Sequence, residues 1–193
     1  MLVKLAKAVS SQAPKALGAL LKAAGDVEWR VRFGAVRALG ELVKAVPNFA
    51  PEVRDVLLKA TEDSEWRVRH VAASALGDFV KAAPSQAPKV FEALLKAAGD
   101  PNMCVRQTTV RALEELVKVA PKLASAVHKV LLKVLGDEDP RVRKAVASAL
   151  EELVKVAPKL ASAVHDALLK AVEDDYEDVC EVVTSVLEEV KAL

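Results

Sequence analysis

The sequence predicts an all-α protein in which antiparallel helix hairpins stack into an α-solenoid, coiled as a right-handed superhelix. The first observation is composition, since 52% of the residues are hydrophobic, 28% are charged and only 4% are aromatic. Such a chain is rich in helix formers and poor in residues that favour strands. The second observation is a repeat of 37 residues, and the third is that each repeat holds two amphipathic helical segments.

The prolines show the repeat most clearly, because Pro47, Pro84, Pro121 and Pro158 are each 37 residues apart. The same register aligns further columns, which are Asp26, Asp63, Asp100, Asp137 and Asp174, then Val31, Val68, Val105, Val142 and Val179, and then Leu39, Leu76, Leu113, Leu150 and Leu187. The predicted divisions are a half-repeat or cap helix at 1–9, unit one at 10–46, unit two at 47–83, unit three at 84–120, unit four at 121–157, and a capping unit five at 158–193.

Unit four shows how each unit forms two helices. Pro121 opens the first, and Asp139 with Pro140 supplies the cap and first residue of the second, as these residue types commonly do. The whole chain is then expected to contain about eleven helices, counting the fragment at 1–9. A single hairpin cannot bury both of its faces, so neighbouring units must stack.

The segment "LLKVLGDEDPRVRKAVASALEEL" at 131–153 resembles a HEAT repeat. It has paired leucines, an aspartate in the turn, Val-Arg early in the second helix and then Ala-Leu, and five copies share this phase over essentially the whole chain. The resemblance implies a curved solenoid whose second helices line a concave face, where most members bind partners. It also implies that the arginine bonds the turn aspartate of a neighbouring unit, which is in doubt for unit five, where Cys180 replaces Arg32, Arg69, Arg106 and Arg143.

The copies are unusually alike on their surfaces. Residues 113–128 and 150–165 both read "LEELVKVAPKLASAVH", which is sixteen identical positions. Natural repeats drift, because many surface positions are neutral to stability. The identity therefore favours an engineered array, and a recent natural duplication is the alternative.

The second helix of unit one separates into two faces at about 100° per residue. The predicted core face is Val31, Ala35, Ala38, Leu39, Leu42 and Val46. The opposite face, expected to border the groove, is Trp29, Phe33, Arg37, Gly40 and Lys44, flanked by Arg30 and Val36.

The groove positions differ from unit to unit. Candidate partner-binding residues are Trp29, Arg30, Phe33 and Arg37 in unit one, Trp66, Arg67 and His70 in unit two, and Met103, Cys104, Gln107 and Arg111 in unit three. Exposed aromatic residues beside arginine are typical of interface hot spots. The alternative is that each tryptophan folds over the turn and packs on its own hairpin. Units four and five, with Pro140 in the tryptophan column, have the composition of ordinary solvated surface, and we assign no function to Gly40 or Gly77.

Charge is distributed unevenly along the chain. Unit one has six basic and three acidic residues, for a net +3, whereas unit five has three basic and nine acidic residues, for a net −6. The stretch "EDDYEDVCE" at 173–181 is typical of a polar terminal cap, and an acidic docking site for a basic segment is the alternative.

The remaining signals define the expected class of function. The formal net charge is +1, no Ser/His/Asp set, glycine-rich phosphate loop or zinc spacing is present, and no segment is apolar enough to cross a membrane or act as a signal peptide. Cys104 and Cys180 lie two units apart, so no disulfide is expected. We expect no catalysis, metal or cofactor, and a monomer until a partner binds. Localisation stays open, and would be cytoplasmic on expression in a cell.

The sequence therefore predicts a non-enzymatic module that binds a protein or peptide on the concave face of units one to three. Two other functions stay open. One is a designed scaffold with no intended ligand. The other is a HEAT-like nucleic-acid binder, in which Trp29 and Trp66 would stack on bases while arginines met phosphates.

Overall fold

A computed structural model describes the backbone of residues 2–171 and 175–191, and the side chains of these ranges from residue 12 onward. These residues form ten α-helices and no strand: α1 Leu2–Ala23, α2 Trp29–Ala45, α3 Ala50–Ala60, α4 Trp66–Ala82, α5 Ala87–Ala97, α6 Met103–Val119, α7 Ala124–Val134, α8 Pro140–Val156, α9 Ala161–Ala171 and α10 Glu177–Lys191. The odd-numbered helices are the first helices of their units and the even-numbered ones are the second helices. The prediction of an all-α solenoid is confirmed.

The helix count differs from the expected eleven because α1 is continuous from Leu2 to Ala23. In the later units a proline opens a short 3-10 turn between the preceding second helix and the next first helix, at Pro47–Phe49, Pro84–Gln86, Pro121–Leu123 and Pro158–Leu160. Proline has no N–H with which to continue the preceding helix. At these four positions the preceding helix ends before the proline, whereas Pro14 is accommodated within α1. Ser10 occupies that column in unit one and imposes no such break.

Each described second helix from α2 to α8 begins at a side-chain cap. The cap residues are Glu28, Glu65, Asn102 and Asp139, all with extended backbone, and each accepts a hydrogen bond from the N–H two residues later. Such a bond satisfies one of the N–H groups that a helix start leaves unpaired. The prediction that Asp139 caps and Pro140 opens the helix of unit four is confirmed.

The two layers of helices pack differently along the stack. Each second helix packs along the second helix of the next unit, whereas neighbouring first helices make few contacts. When the helices of one layer lie closer together than those of the other layer, the stack curves so that the closely packed layer is on the concave side. The second helices therefore line the concave face, as the resemblance implied.

The contact between units is built from columns of identical apolar residues. Val43, Val80, Val117 and Val154 are fully buried, and so are Leu39, Leu76, Leu113 and Leu150. In the last unit the valine column holds Lys191, which is exposed together with Thr184 and Glu188. Polar residues thus occupy the outer contact positions of α10, which supports the interpretation of unit five as a cap.

The predicted core face of α2 was partly wrong. Val31 is 40% exposed, although Val68, Val105 and Val142 in the same column are fully buried. Among the described residues no second helix precedes α2, so Val31 lacks the neighbour that is available to the other three valines. Ala38, Leu42 and Val46 are half-buried.

Partly buried ion pairs join the turns of successive units. Arg32 contacts Asp63 through Nε–Oδ2 at 2.6 Å and Nη2–Oδ1 at 2.7 Å. The pair of Arg69 with Asp100 and the pair of Arg106 with Asp137 repeat this bidentate geometry. We call these three contacts the arginine–aspartate pairs. Each arginine bonds the aspartate of the following unit, and Cys180 takes the place of that arginine in unit five.

Each pair also holds the turns themselves. Nη1 of Arg32 donates to the carbonyl oxygens of Asp26 and Val27 in its own turn, and Oδ1 of Asp63 accepts from the N–H of Glu65. Burial opposes ionisation of Asp63, but the hydrogen bonds from Arg32 and from the Glu65 N–H prevail and lower the pKa of this carboxyl. One guanidinium therefore ties two turns together.

Candidate functional site

Each second helix leaves one narrow strip uncovered on the concave face, at spacings of three and four residues. We call this the concave strip. Its members in units one to three are Arg30, Phe33, Arg37, Glu41 and Lys44 on α2, Arg67, His70, Ser74, Asp78 and Lys81 on α4, and Cys104, Gln107, Arg111, Glu115 and Lys118 on α6. All eleven predicted site residues lie on the strip or beside it at the helix starts, and Nε2 of Gln107 donates to the carbonyl oxygen of Arg141 at 3.4 Å.

The fourth predicted groove position does not face the groove. Gly40 and Gly77 are buried, because a Cβ on Gly40 would lie 2.9 Å from Cβ of Ala75, and one on Gly77 would lie 3.2 Å from Cα of Ala112. Val36, expected to flank the groove, is fully buried as well. A helical wheel assumes that only one side of a helix is buried. These helices have neighbouring helices on both sides and therefore expose a narrower strip.

The two tryptophans belong to a stack of rings and guanidinium groups. The Arg30 guanidinium lies 4.7 Å from the Trp29 ring centre, and that of Arg67 lies 5.1 Å from Trp29 and 4.6 Å from Trp66. Arg67 is therefore held between rings of successive units by cation–π attraction. The stack ends at unit three, where Cys104 replaces the arginine and Met103 the tryptophan.

The two tryptophans are not equivalent. Trp29 is half-buried and packs against the hydrophobic core, as do Phe33 and Met103. Trp66 is half-buried but does not pack against that core, and its ring meets His70 edge-on with 6.5 Å between ring centres. The alternative that a tryptophan packs on the protein itself therefore holds in part for Trp29. Trp66 is the better candidate for a partner contact.

His70 connects unit two to unit three. Its Nδ1 lies 2.9 Å from Oγ1 of Thr108 and 3.2 Å from the carbonyl oxygen of Cys104. Sequence reasoning missed Thr108, because its column holds Gly34 and Val71 in the earlier units and carries no sign of a polar role. This contact fixes the histidine ring at the edge of a hollow.

Two hollows flank Arg111 on the concave face. One, of about 270 Å³, lies between α4 and α6 and is lined by His70, Ser74, Asp78, Thr108, Arg111 and Glu115 among others. The other, of about 320 Å³, lies between α6 and α8 and is lined by Gln107, Arg111, Arg141, Lys144, Ser148 and Asp178 among others. The second hollow reaches unit four, which the sequence analysis had interpreted as ordinary solvated surface. The hollows of the concave face therefore extend beyond units one to three.

A row of carboxylates also lies along the strip, and sequence reasoning missed it. Lysines of one unit reach these carboxylates in the next, and we call the contacts the lysine–acid pairs. They are Lys44–Asp78 at 2.8 Å, Lys81–Glu115 at 2.7 Å, Lys118–Glu152 at 3.6 Å and Lys155–Glu189 at 3.7 Å. A spacing of 34 residues is the signal that could have revealed them.

Among the described residues no three His, Cys, Asp or Glu side chains are grouped so that they could hold a metal ion. Neither Cys104 nor Cys180 forms part of a disulfide. In the same part of the chain, none of the helices combines the length and the apolar character needed to span a membrane. Rings, guanidinium groups and hydrogen-bonding side chains remain on the concave strip.

A HEAT-repeat family model matches residues 3–77, 19–114 and 91–188, overlapping segments that together run from residue 3 to residue 188. The chain belongs to the HEAT-repeat family. No curated protein matches it in sequence.

Several solved structures share the fold of this HEAT-repeat protein. An engineered protein of the Northeast Structural Genomics Consortium is 21% identical with a TM-score of 0.67, over 97% of this chain and 83% of that one. A designed armadillo repeat protein in complex with the peptide (KR)4 is 20% identical with a TM-score of 0.68, over 97% and 86%. A set of computationally designed armadillo repeat proteins for modular peptide recognition is 23% identical with a TM-score of 0.66, over 96% and 90%. Engineered and designed proteins are thus among the structures that share this fold.

Proposed function

We propose that this HEAT-repeat protein is a non-enzymatic module that binds a protein or peptide through the concave strip of units one to three. One observation carries the proposal: the hollow between α4 and α6 is bordered by the fixed ring of His70 and the exposed Arg111, with Trp66 against that histidine. Tryptophan and arginine beside a pocket are the residues that most often dominate interface energies.

The shape of the face favours an extended chain as the ligand. The strip crosses successive second helices, so it presents similar positions at regular intervals to a ligand lying along the stack. Proteins of similar fold bind peptides, since one of the similar designed proteins was solved in complex with the peptide (KR)4 and others were designed for modular peptide recognition. These proteins support peptide binding as the class of function and do not identify a peptide.

The two other functions have less support. A scaffold without a ligand has no use for Trp66 on the strip, since Pro140 occupies the same column in unit four. A nucleic-acid binder would bring its phosphates against the carboxylates of Glu41, Asp78 and Glu115 along the same strip. We also propose that the unbound chain is monomeric, because polar residues occupy the outer contact positions of α10.

The test is a selection of random linear peptides displayed on phage, followed by affinity measurements on the enriched peptides. Trp66→Ala is the test variant, because Trp66 borders the hollow and lies outside the core contact. Leu95→Ala is the matched control, since Leu95 is 45% exposed on α5, a first helix. We expect Trp66→Ala to weaken binding at least about tenfold, and Leu95→Ala to leave it within twofold.

Thermal unfolding of both variants separates binding from folding. Substitutions on a solvated surface shift stability by less than about 0.5 kcal/mol, so both midpoints should stay close to that of the parent. The proposal fails if no peptide is enriched, or if the enriched peptides bind the Trp66→Ala variant as tightly as the parent.

A further inference from the structure

We infer that the concave strip takes an acidic peptide segment, whose carboxylates are bound at two points by Arg37 and Arg111. This inference rests on the proposed function, because it assigns a chemistry to the peptide that the strip would bind. It depends on the charges of the strip and on which of them are already paired within the chain.

Arg37 and Arg111 differ from every other cation on the second helices α2, α4, α6 and α8. The others each form an ion pair or hydrogen bond: Arg30 with Glu28, Arg67 with Glu65 and Arg141 with Asp139 at the caps, Arg32, Arg69, Arg106 and Arg143 in the turns, and Lys44, Lys81, Lys118, Lys144 and Lys155 along the strip. Within the described part of the chain, neither Arg37 nor Arg111 has an ion pair or hydrogen bond, although Arg37 lies 5.8 Å from the ring centre of Phe33.

The carboxylates of the strip do not neutralise these two arginines. Glu41 and Asp78 both contact Lys44, at 2.9 Å and 2.8 Å, and Glu115 contacts Lys81 at 2.7 Å. Burial opposes ionisation of Glu115, but hydrogen bonds from Lys81 and Lys118 lower its pKa. The acidic row is thus balanced by lysines, and the positive charge of Arg37 and Arg111 is left for a ligand.

The two arginines occupy equivalent columns two units apart, with Ser74 between them. Packed helices lie about 8–10 Å apart, so two intervals separate the arginines by about 16–20 Å. An extended peptide rises about 3.3 Å per residue, so its two carboxylates would lie about five or six residues apart. Between them the peptide would cross Ser74 and the hollow beside His70. Guanidinium groups bind carboxylates bidentately, which fixes both position and direction.

The far end of the concave face limits where such a peptide can lie. Glu177, Asp178 and Glu181 on α10 are exposed, and Lys144 contacts Asp178 at 3.4 Å. A negative peptide is repelled from this end and is therefore held over units one to three. A nucleic acid fits less well, because its phosphates recur at every nucleotide and would meet the acidic row between the two arginines.

The experiment is a peptide-display selection carried out in parallel on three proteins. These are the parent chain, the double variant Arg37→Glu with Arg111→Glu, and the control Lys129→Glu with Lys133→Glu. Lys129 and Lys133 are exposed on α7, a first helix, so the control changes the net charge equally away from the strip. We expect the parent and the control to enrich peptides with two Asp or Glu residues five or six positions apart, and the double variant to lose them.

Fluorescence anisotropy with one enriched peptide then measures each contact. Arg37→Ala and Arg111→Ala should each weaken binding about tenfold, as expected for a lost charge-assisted hydrogen bond, and replacing both acidic residues of the peptide with Gln should weaken it further. Enrichment of neutral or basic peptides that still depends on Trp66 would overturn the acidic assignment and leave the proposed function intact. Absence of any enriched peptide would overturn both. Tighter binding of a single-stranded oligonucleotide than of any peptide would also overturn it.

Discussion

The turns and the concave strip contrast sharply, although both join the same neighbouring units. Among the described residues the same arginine–aspartate pair occurs in three turns, with Nε–Oδ2 distances of 2.6 Å. On the strip, the column of Phe33 changes at every step from unit one to unit four, and the adjacent column of Trp29 keeps tryptophan in unit two before changing to Met103 and Pro140. The repeated arginine–aspartate pairs are largely buried, whereas the strip is open to solvent. The comparison teaches that the fold depends on what the copies share, and that the proposed recognition rests on what they do not.

The largest effect should come from breaking a turn contact. The side chains of Arg106 and Asp137 are 9% and 8% exposed, so Arg106→Leu leaves a nearly buried carboxylate without its partner. We expect a loss of about 3–5 kcal/mol in the free energy of unfolding, measured by denaturant titration. The control is Arg30→Leu, whose pair with Glu28 is solvated and should cost less than about 1 kcal/mol. Equal losses in the two variants would contradict the division between turn and strip.

Glycine substitutions on α2 should separate the inner contact from the open surface. Gly40→Ala places a Cβ 2.9 Å from Cβ of Ala75, and such overpacking costs about 1–3 kcal/mol. Alanine also favours the helix by about 0.5–1 kcal/mol. We therefore expect the free energy of unfolding, determined from thermal unfolding, to fall by a net of about 1–2 kcal/mol. Gly34→Ala meets nothing within 4 Å and should instead stabilise the protein. A gain in both variants would mean that α2 and α4 separate without cost.

His128 offers a test on the first helices, in a column that also varies. Its Nε2 is buried without a hydrogen-bond partner, and burial lowers its pKa from the ordinary 6.5. The unfolded chain therefore binds a proton more readily than the folded one, so stability is full above about pH 6.5 and falls as the pH drops below it.

Urea unfolding at several pH values between 5 and 8 measures that dependence. His128→Leu should remove most of it and stabilise the protein by about 1 kcal/mol, because Leu17 is buried in the same column of unit one. His165→Leu is the control, since His165 is only half-buried beside Asp166. An unchanged pH dependence in His128→Leu would refute the assignment.

The smallest effect should come from the lysine–acid pairs. Lys81 is 49% exposed on its side chain and contacts Glu115 at 2.7 Å, so Lys81→Met should cost about 0.2–1 kcal/mol in denaturant titrations at low salt. Added salt should erase the difference, because exposed charges are screened. A loss comparable to that of Arg106→Leu would place this contact among those on which the fold depends.

The sequence predicted the fold well because the repeat multiplies every signal. Five copies of the aspartate, valine and leucine columns identify the hairpin and its phase, and Asp139 with Pro140 locates a helix start. The errors arose where a residue's surroundings depend on a neighbouring unit. Gly40 and Val36 lie on the apparent outer side of an isolated helix and are buried by the next one. Val31 is exposed although the valines of the same column in units two to four are buried, because no second helix precedes α2 among the described residues.

The candidate site was predicted in part. The columns of Trp29 and Phe33 stand out because they vary while the framework does not. The role of Thr108 and the acidic row could not be predicted in this way, because both depend on contacts between units. The column of Thr108 holds no polar residue in the earlier units, and the acidic column is nearly constant. Which arginines remain unpaired is likewise decided only by the packed structure.

The spacing of the contacts between units has a consequence for chain length. Every arginine–aspartate pair joins residues 31 apart and every lysine–acid pair joins residues 34 apart. Removing residues 84–120 would bring Arg69 to Asp137, Lys81 to Glu152 and Gly77 to Ala149, each in the role of the partner that was lost. Removing any other number of residues in that region would mismatch all three at once. Recombination can therefore shorten or lengthen such a gene in whole units, and the shared columns act as interchangeable joints.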